Sequence, residues 1–162
     1  MKIEIIHTND IPNYDAAYAA MDRERQAQCD RLASKQARLL CVAADLAARR
    51  LVGDWSKDGN GKPVCDRGYL SIAHSGEYAV AVWDERPIGV DIEQIRSLSP
   101  ALVKRLGGID PLREWVKKEA YGKALGVGVY RVLDEPIAEG WEFVFPEALE
   151  GYLMAVCKKK ES

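Results

Sequence analysis

Pro87-Ile88-Gly89-Val90-Asp91-Ile92-Glu93 is the stretch on which the fold and the chemistry of this chain turn. Its β-branched residues read as a strand, in which positions two apart share a face. Asp91 and Glu93 therefore project to one side while Val90 and Ile92 turn into a core. Two carboxylates on one face repel unless something positive lies between them. A divalent cation with oxygen ligands, such as Mg²⁺, is the natural partner, and it commonly takes one or two carboxylates together with water and substrate phosphate. Taken alone, the pair fits equally a strand end carrying two solvated acids.

Downstream lies Trp115-Val116-Lys117-Lys118-Glu119-Ala120-Tyr121-Gly122-Lys123. On a helix Trp115, Glu119 and Lys123 fall at successive four-residue spacings and share a face, with Lys118 at its flank. That brings a third carboxylate beside a cation able to meet a phosphate, although a plain surface Glu–Lys pair has the same spacing. Upstream, Ile72-Ala73-His74-Ser75-Gly76 ends one strand and turns into the next, and Gly61-Lys62-Pro63 lies just before it. His74 and Ser75 can donate to an anion, with Lys62 and Arg38 adding charge. A turn histidine with a structural role is the simpler reading of His74 alone.

Around these pieces the chain alternates helices with short strands. The first strand is Met1 to Ile6, Asn13 caps a helix from Tyr14 to Met21, and a charged segment runs from Asp22 to Leu32. Ser34 caps a longer helix whose Leu39, Val42, Ala43, Leu46 and Ala47 form a core face. Strand character follows at Lys62 to Cys65, Tyr69 to Ala73, Tyr78 to Trp83 and Pro87 to Glu93. Ser99 caps a short helix, Asp110-Pro111 opens another to about Leu125, and strands are expected at Val129 to Leu133, Trp141 to Phe145 and Tyr152 to Cys157. Each half thus reads as helices followed by strands. Tyr78-x-x-Ala81-Val82 and Tyr152-x-x-Ala155-Val156 repeat a pattern that convergence on a buried strand also explains.

The chain has 162 residues and a formal net charge of −2. One domain, 1–162, is expected at this length. The near-neutral balance removes the attraction that makes a basic protein a nucleic-acid binder, so an anionic ligand must be held by a local cluster of cations. Cys29, Cys41, Cys65 and Cys157 lack the close pairs of a zinc or redox motif, which points to a reduced, cytoplasmic setting. Apolar runs stop far short of the about 20 residues that span a bilayer, and the N-terminus has no signal-peptide core, so no membrane partner is expected.

In order and spacing, Gly61-Lys62-Pro63, Ser71 to Gly76, Pro87 to Glu93, Trp115-x-x-Lys118-Glu119-Ala120-x-x-Lys123 and the closing Gly151 to Cys157 resemble the 4'-phosphopantetheinyl transferases, specifically the monomeric surfactin-synthetase-activating type. The resemblance reaches from about Ser34 to Cys157, with a shorter stretch between Asp91 and Glu119 than that family has. It implies an α+β fold of two pseudo-duplicated lobes, about 1–93 and 94–162, each with helices packed on a small, mainly antiparallel sheet. Coenzyme A would bind between the lobes, with Asp91, Glu93 and Glu119 holding Mg²⁺, or Mn²⁺, on its pyrophosphate. Lys123, with Lys118, would neutralise phosphate charge; His74 and Arg38 match positions that hold the 3'-phosphate, Ser75 neighbours them, and Lys62 lies near the adenine. The implied reaction moves phosphopantetheine to a serine of an apo acyl or peptidyl carrier protein, with Glu119 a metal ligand first and a proton acceptor second. A non-catalytic protein that binds coenzyme A or a carrier is the alternative.

Overall fold

The structure, a computed structural model, describes residues 1–146 and 149–162. The chain opens with strand β1 (Lys2–His7), then helices α1 (Tyr14–Ala19), α2 (Arg23–Asp30) and α3 (Lys35–Val52). Asn13, Asp22 and Ser34 cap these helices, their side chains accepting from the N–H groups of Ala16, Arg25 and Ala37. A two-residue hairpin, β2 (Ser56–Lys57) with β3 (Pro63–Val64), leads to β4 (Tyr69–Ser75), β5 (Tyr78–Asp84) and β6 (Ile88–Gln94). Helices α4 (Pro100–Leu106) and α5 (Pro111–Leu125) and strands β7 (Trp141–Val144) and β8 (Tyr152–Lys159) complete the fold. Among the described residues no helix is long and apolar enough to cross a membrane.

Two three-stranded antiparallel sheets result, ordered β1-β5-β4 and β6-β8-β7. Each half runs strand, helix, strand, strand, and in each the last strand takes the centre of the sheet. The repeated pattern is therefore structurally equivalent. Ala81 packs in the core that includes Ala43, Ala44 and Ala47 of α3, whereas Ala155 packs with Trp115, Val116 and Ala120 of α5. Val82 and Val156 turn the other way, into a core shared by the two sheets with Val90, Ile92 and Met154. Small residues under the helices let them approach closely; larger ones fill the middle. Tyr78 and Tyr152 meet edge to face at 5.0 Å.

Two expectations need correction, and one segment left unassigned gains a structure. Val129 to Leu133 is not a strand: Val129–Arg131 forms a 3₁₀ turn closed by i to i+3 bonds, and Val132 and Leu133 bury their side chains against α5. The charged segment after Asp22 is helical, with Arg25 and Cys29 turned inward. The first lobe does not extend to residue 93, because β6 pairs with β8 and belongs to the second sheet. The division falls in the turn between β5 and β6.

Gly89 sets how closely the second half is packed. A Cβ there would overlap the carbonyl of Ala120 and the amide of Ala124, so α5 rests directly on the backbone of β6.

Candidate functional site

Strand β6 and helix α5 face each other as a zipper. Lys123 donates to Asp91 Oδ1 at 3.0 Å, and Trp115 Nε1 donates to Glu93 Oε1 at 3.2 Å. Glu119 lies between those rungs on the helix, as the four-residue spacing requires. Arg96 approaches Glu93 Oε2 at 3.4 Å. Asp91 is buried, and its Oδ2 has no hydrogen-bond partner.

The electrostatics record crowding. Burial raises the Asp91 pKa, Lys123 opposes the rise, and Glu93 adds to it. The Glu119 carboxyl is pushed up to about 6, first by burial, then by the Asp91 carboxylate, against the pull of Lys123 and with a further push from Glu93. The three acids are thus neighbours that feel one another's charge. Among the described residues, however, no three His, Cys, Asp or Glu side chains are gathered as a ligand set; Lys123 and Trp115 hold Asp91 and Glu93 instead. The donor set nonetheless fits a hard divalent cation: the groups are oxygens, they outnumber their lysine, and Asp91 Oδ2 is a buried acceptor with nothing to accept.

On the other side of Lys123 opens a cleft of about 760 Å³. Its basic lining comes from six residues of five segments: Arg25 and Arg31 at α2, Lys57, Lys62, His74 on β4, and Lys123 on α5. Among the described residues its lining holds no Asp or Glu. Arg25 is held in place by its surroundings. Its guanidinium lies over the Trp55 ring at 4.3 Å, Trp55 Nε1 donates to the buried Asp45 at 3.0 Å, and Arg25 Nε stands 3.8 Å from the same carboxylate, an ion pair without a hydrogen bond. His74 opens onto the cleft, yet the protein around it holds its pKa below the ordinary value, and the charges of Lys123 and Arg25 add to that. Lys62 reaches across from the first half to the Ala124 carbonyl in the last turn of α5, at 3.1 Å, and burial lowers its pKa.

Of the residues expected at the site, Asp91, Glu93, Glu119, Lys123, His74 and Lys62 lie along this line of acids and cleft. Three do other work. Lys118 turns to the opposite flank of α5, where its ammonium donates to the carbonyls of Val132, at 2.9 Å, and Glu135. Arg38 donates to the carbonyls of Leu32 and Ala33, tying the α2–α3 connection. Ser75 accepts from the Gln94 N–H at 2.9 Å.

Arg25, Arg31 and Lys57 were missed by sequence reasoning. A signal for Arg25 existed: Met21, Arg25 and Cys29 are four apart and all buried, so the arginine sits on the inward face of its helix. Lys57 has no such signal, since a loop lysine is ordinarily solvated.

No family model matches the chain. Among curated proteins it is similar to the 4'-phosphopantetheinyl transferase psf-1 of Bacillus pumilus, with 30% identity over 91 residues, covering 44% of this chain and 39% of that protein. It is also similar to the 4'-phosphopantetheinyl transferase ffp of Bacillus subtilis, with 22% identity over 149 residues, covering 74% of this chain and 66% of the relative. The chain thus spans less than two thirds of the length of either relative. Both carry the name of the family that the spaced motifs resemble.

Proposed function

We propose that this protein transfers the 4'-phosphopantetheine group of coenzyme A to a serine of an apo acyl or peptidyl carrier protein. The observation that carries the reading is the cleft: its lining gathers five Lys and Arg residues and a histidine with no acid, in a chain whose net charge is −2. Such a wall suits a ligand bearing several phosphates. It leads, through Lys123, to three carboxylates. A donor with a phosphate at one end and a pyrophosphate nearer its middle matches that sequence of charges. The similarity to two proteins named 4'-phosphopantetheinyl transferases supports the same donor and reaction.

In this reading Asp91, Glu93 and Glu119 would hold Mg²⁺ or Mn²⁺, which would neutralise the charge of the pyrophosphate. Arg25, Arg31 and Lys57 bind the far phosphate, Lys62 lines the wall between, and His74 donates a hydrogen bond as a neutral imidazole. Lys123 exchanges its bond to Asp91 for one to the pyrophosphate. The carrier serine attacks the β-phosphorus, its hydroxyl proton goes to Glu119, and adenosine 3',5'-bisphosphate leaves. Most of the barrier reduction then comes from positioning and charge neutralisation rather than from covalent work by the protein. The four free cysteines suit a reducing, cytoplasmic setting.

The test is to incubate the protein with coenzyme A, Mg²⁺ and several apo carriers and to weigh the carriers by mass spectrometry. A gain of one phosphopantetheine, lost in Glu119→Ala, is expected. Unmodified carriers together with Mg²⁺-dependent stabilisation by coenzyme A would make the protein a coenzyme-binding relative without transfer. No stabilisation by coenzyme A would sink the proposal.

A further inference from the structure

The strands that face each other across the two halves are β4 and β6, and no backbone ladder joins them. The join is made by side chains. Ser71 Oγ accepts from the Val90 N–H at 3.1 Å, and Ser75 Oγ accepts from the Gln94 N–H at 2.9 Å. Each pair has the same separation of 19 residues, so the two strands run parallel and in register.

Val90 and Gln94 stand on either side of Asp91 and Glu93, so the acid-bearing segment of β6 is held at both ends. The hydroxyls that hold it come from the strand that carries His74 into the cleft. Ser71 is buried, as is its bond, so the Val90 N–H has no water to turn to if the hydroxyl is removed. On its other edge β6 is paired with β8 along its whole length, which fixes the strand within the second half and leaves its position against the first to other contacts. Among the described residues, the hydrogen bonds that tie the acid-bearing strand to β4 are these two, both made by serines.

We propose that Ser71 and Ser75 are positioning residues of the acidic centre. They fix the height of Asp91 and Glu93 against the cleft, so that the cation held by the second half meets the phosphates held by the first. The inference rests on the transferase reading and assigns Ser75 a different part in it: the hydroxyl accepts from β6 rather than donating to an anion. Two serines that merely stitched the halves together would leave the coupling between metal and coenzyme untouched, and the experiment separates that role from positioning.

Ser71→Ala, Ser75→Ala and Ser75→Thr would be compared with the natural protein for binding of Mn²⁺ alone, followed by its electron paramagnetic resonance signal well below the unfolding temperature, and for binding of coenzyme A without and with Mn²⁺. Misplacing the acids against the cleft weakens the mutual strengthening of metal and coenzyme, and a loss of roughly tenfold in that coupling is expected in both alanine variants. Mn²⁺ alone should bind all variants as it binds the natural protein, because its ligands all lie in the second half. Coenzyme A without metal should bind the Ser75 variants unchanged, and Ser75→Thr should restore the coupling. Ser75 lies at the more open end of the seam, so Ser75→Ala decides between the two roles even if Ser71→Ala fails to fold. Folded alanine variants in which Mn²⁺ strengthens coenzyme A binding as much as in the natural protein would overturn the inference and leave the transferase reading intact. A natural protein in which Mn²⁺ does not strengthen coenzyme A binding would overturn both.

Discussion

Lys123 and Asp91 are joined at 3.0 Å across the helix and strand that carry the acidic centre, with Lys123 on the cleft side and Asp91 buried behind it. The lysine therefore belongs to two sites. It closes the row of cations in the cleft and compensates the most buried carboxylate of the acidic centre. Its two partners, carboxylate and phosphate, compete for one ammonium, and this competition shapes what substitutions at either end should do.

Asp91→Asn should leave the folded protein as stable as before or more so, while abolishing Mn²⁺ binding. Burial already raises the pKa of Asp91, so the fold favours its neutral form, and an amide mimics that form. Lys123→Met acts in the other direction by leaving the carboxylate without its cation. Because the lysine side chain is 32% exposed, the loss is discounted to about 1 kcal/mol. Urea unfolding of the two variants checks the opposite signs.

Glu119 should titrate with a midpoint of about 6 in the metal-free protein, seen in the ¹³C shift of its side-chain carboxyl. The folded pKa lies above the ordinary 4.5, so the folded state binds the proton more tightly than the unfolded chain. Ionised Glu119 therefore opposes folding in full above about 6, and that opposition fades as the pH falls toward 4.5. Mg²⁺ should move the midpoint down. A midpoint at the ordinary value would contradict the crowding of the three acids.

Gly89→Ala should destabilise the protein by about 1–3 kcal/mol, the usual cost of forcing atoms into a packed interior. The added methyl meets backbone of α5 rather than a movable side chain, so the helix must lift off the strand. Thermal unfolding measures the first effect. A weakened Lys123–Asp91 contact, read from the carboxyl shift of Asp91, measures the second.

Lys118→Met should cost on the order of 1–3 kcal/mol, because the carbonyls of Val132 and Glu135 lose their donor, while coenzyme A affinity stays unchanged. Arg25→Met and Arg38→Met make a matching pair. The first removes a cation from the cleft wall and should weaken coenzyme A binding, whereas the second frees a loop and should not. Calorimetric titration of the three variants gives the comparison.

Local signals located most of the elements because each is written in a few adjacent residues. Asn13, Ser34, Ser99 and Asp110 cap the helices that follow them, and the alternation in β5, β6 and β8 matches their two faces. The acidic centre was legible for the same reason, since Asp91 and Glu93 sit on one strand face and Trp115, Glu119 and Lys123 on one helix face. Side chains that choose between two environments were not legible. Nothing in the spacing of Lys118 says that its flexible stem will run toward the Val132 carbonyl instead of the cleft. Arg25 is the converse case, a charged residue turned inward where Asp45 and Trp55, both far along the chain, offer a buried carboxylate and a ring. Val129 to Leu133 is apolar enough for a strand, but its apolar groups find their core beside α5 without an extended backbone.

The two halves share one plan, yet they meet through unlike edges, β4 of the first against β6 of the second. A pairing of like edges would have built a twofold axis and, with it, two equivalent half-equipped sites. Head-to-tail joining builds a single seam with a different strand on each side. The charges are divided across that seam: the first half supplies five of the six basic side chains of the cleft, and the second supplies Lys123 and all three acids.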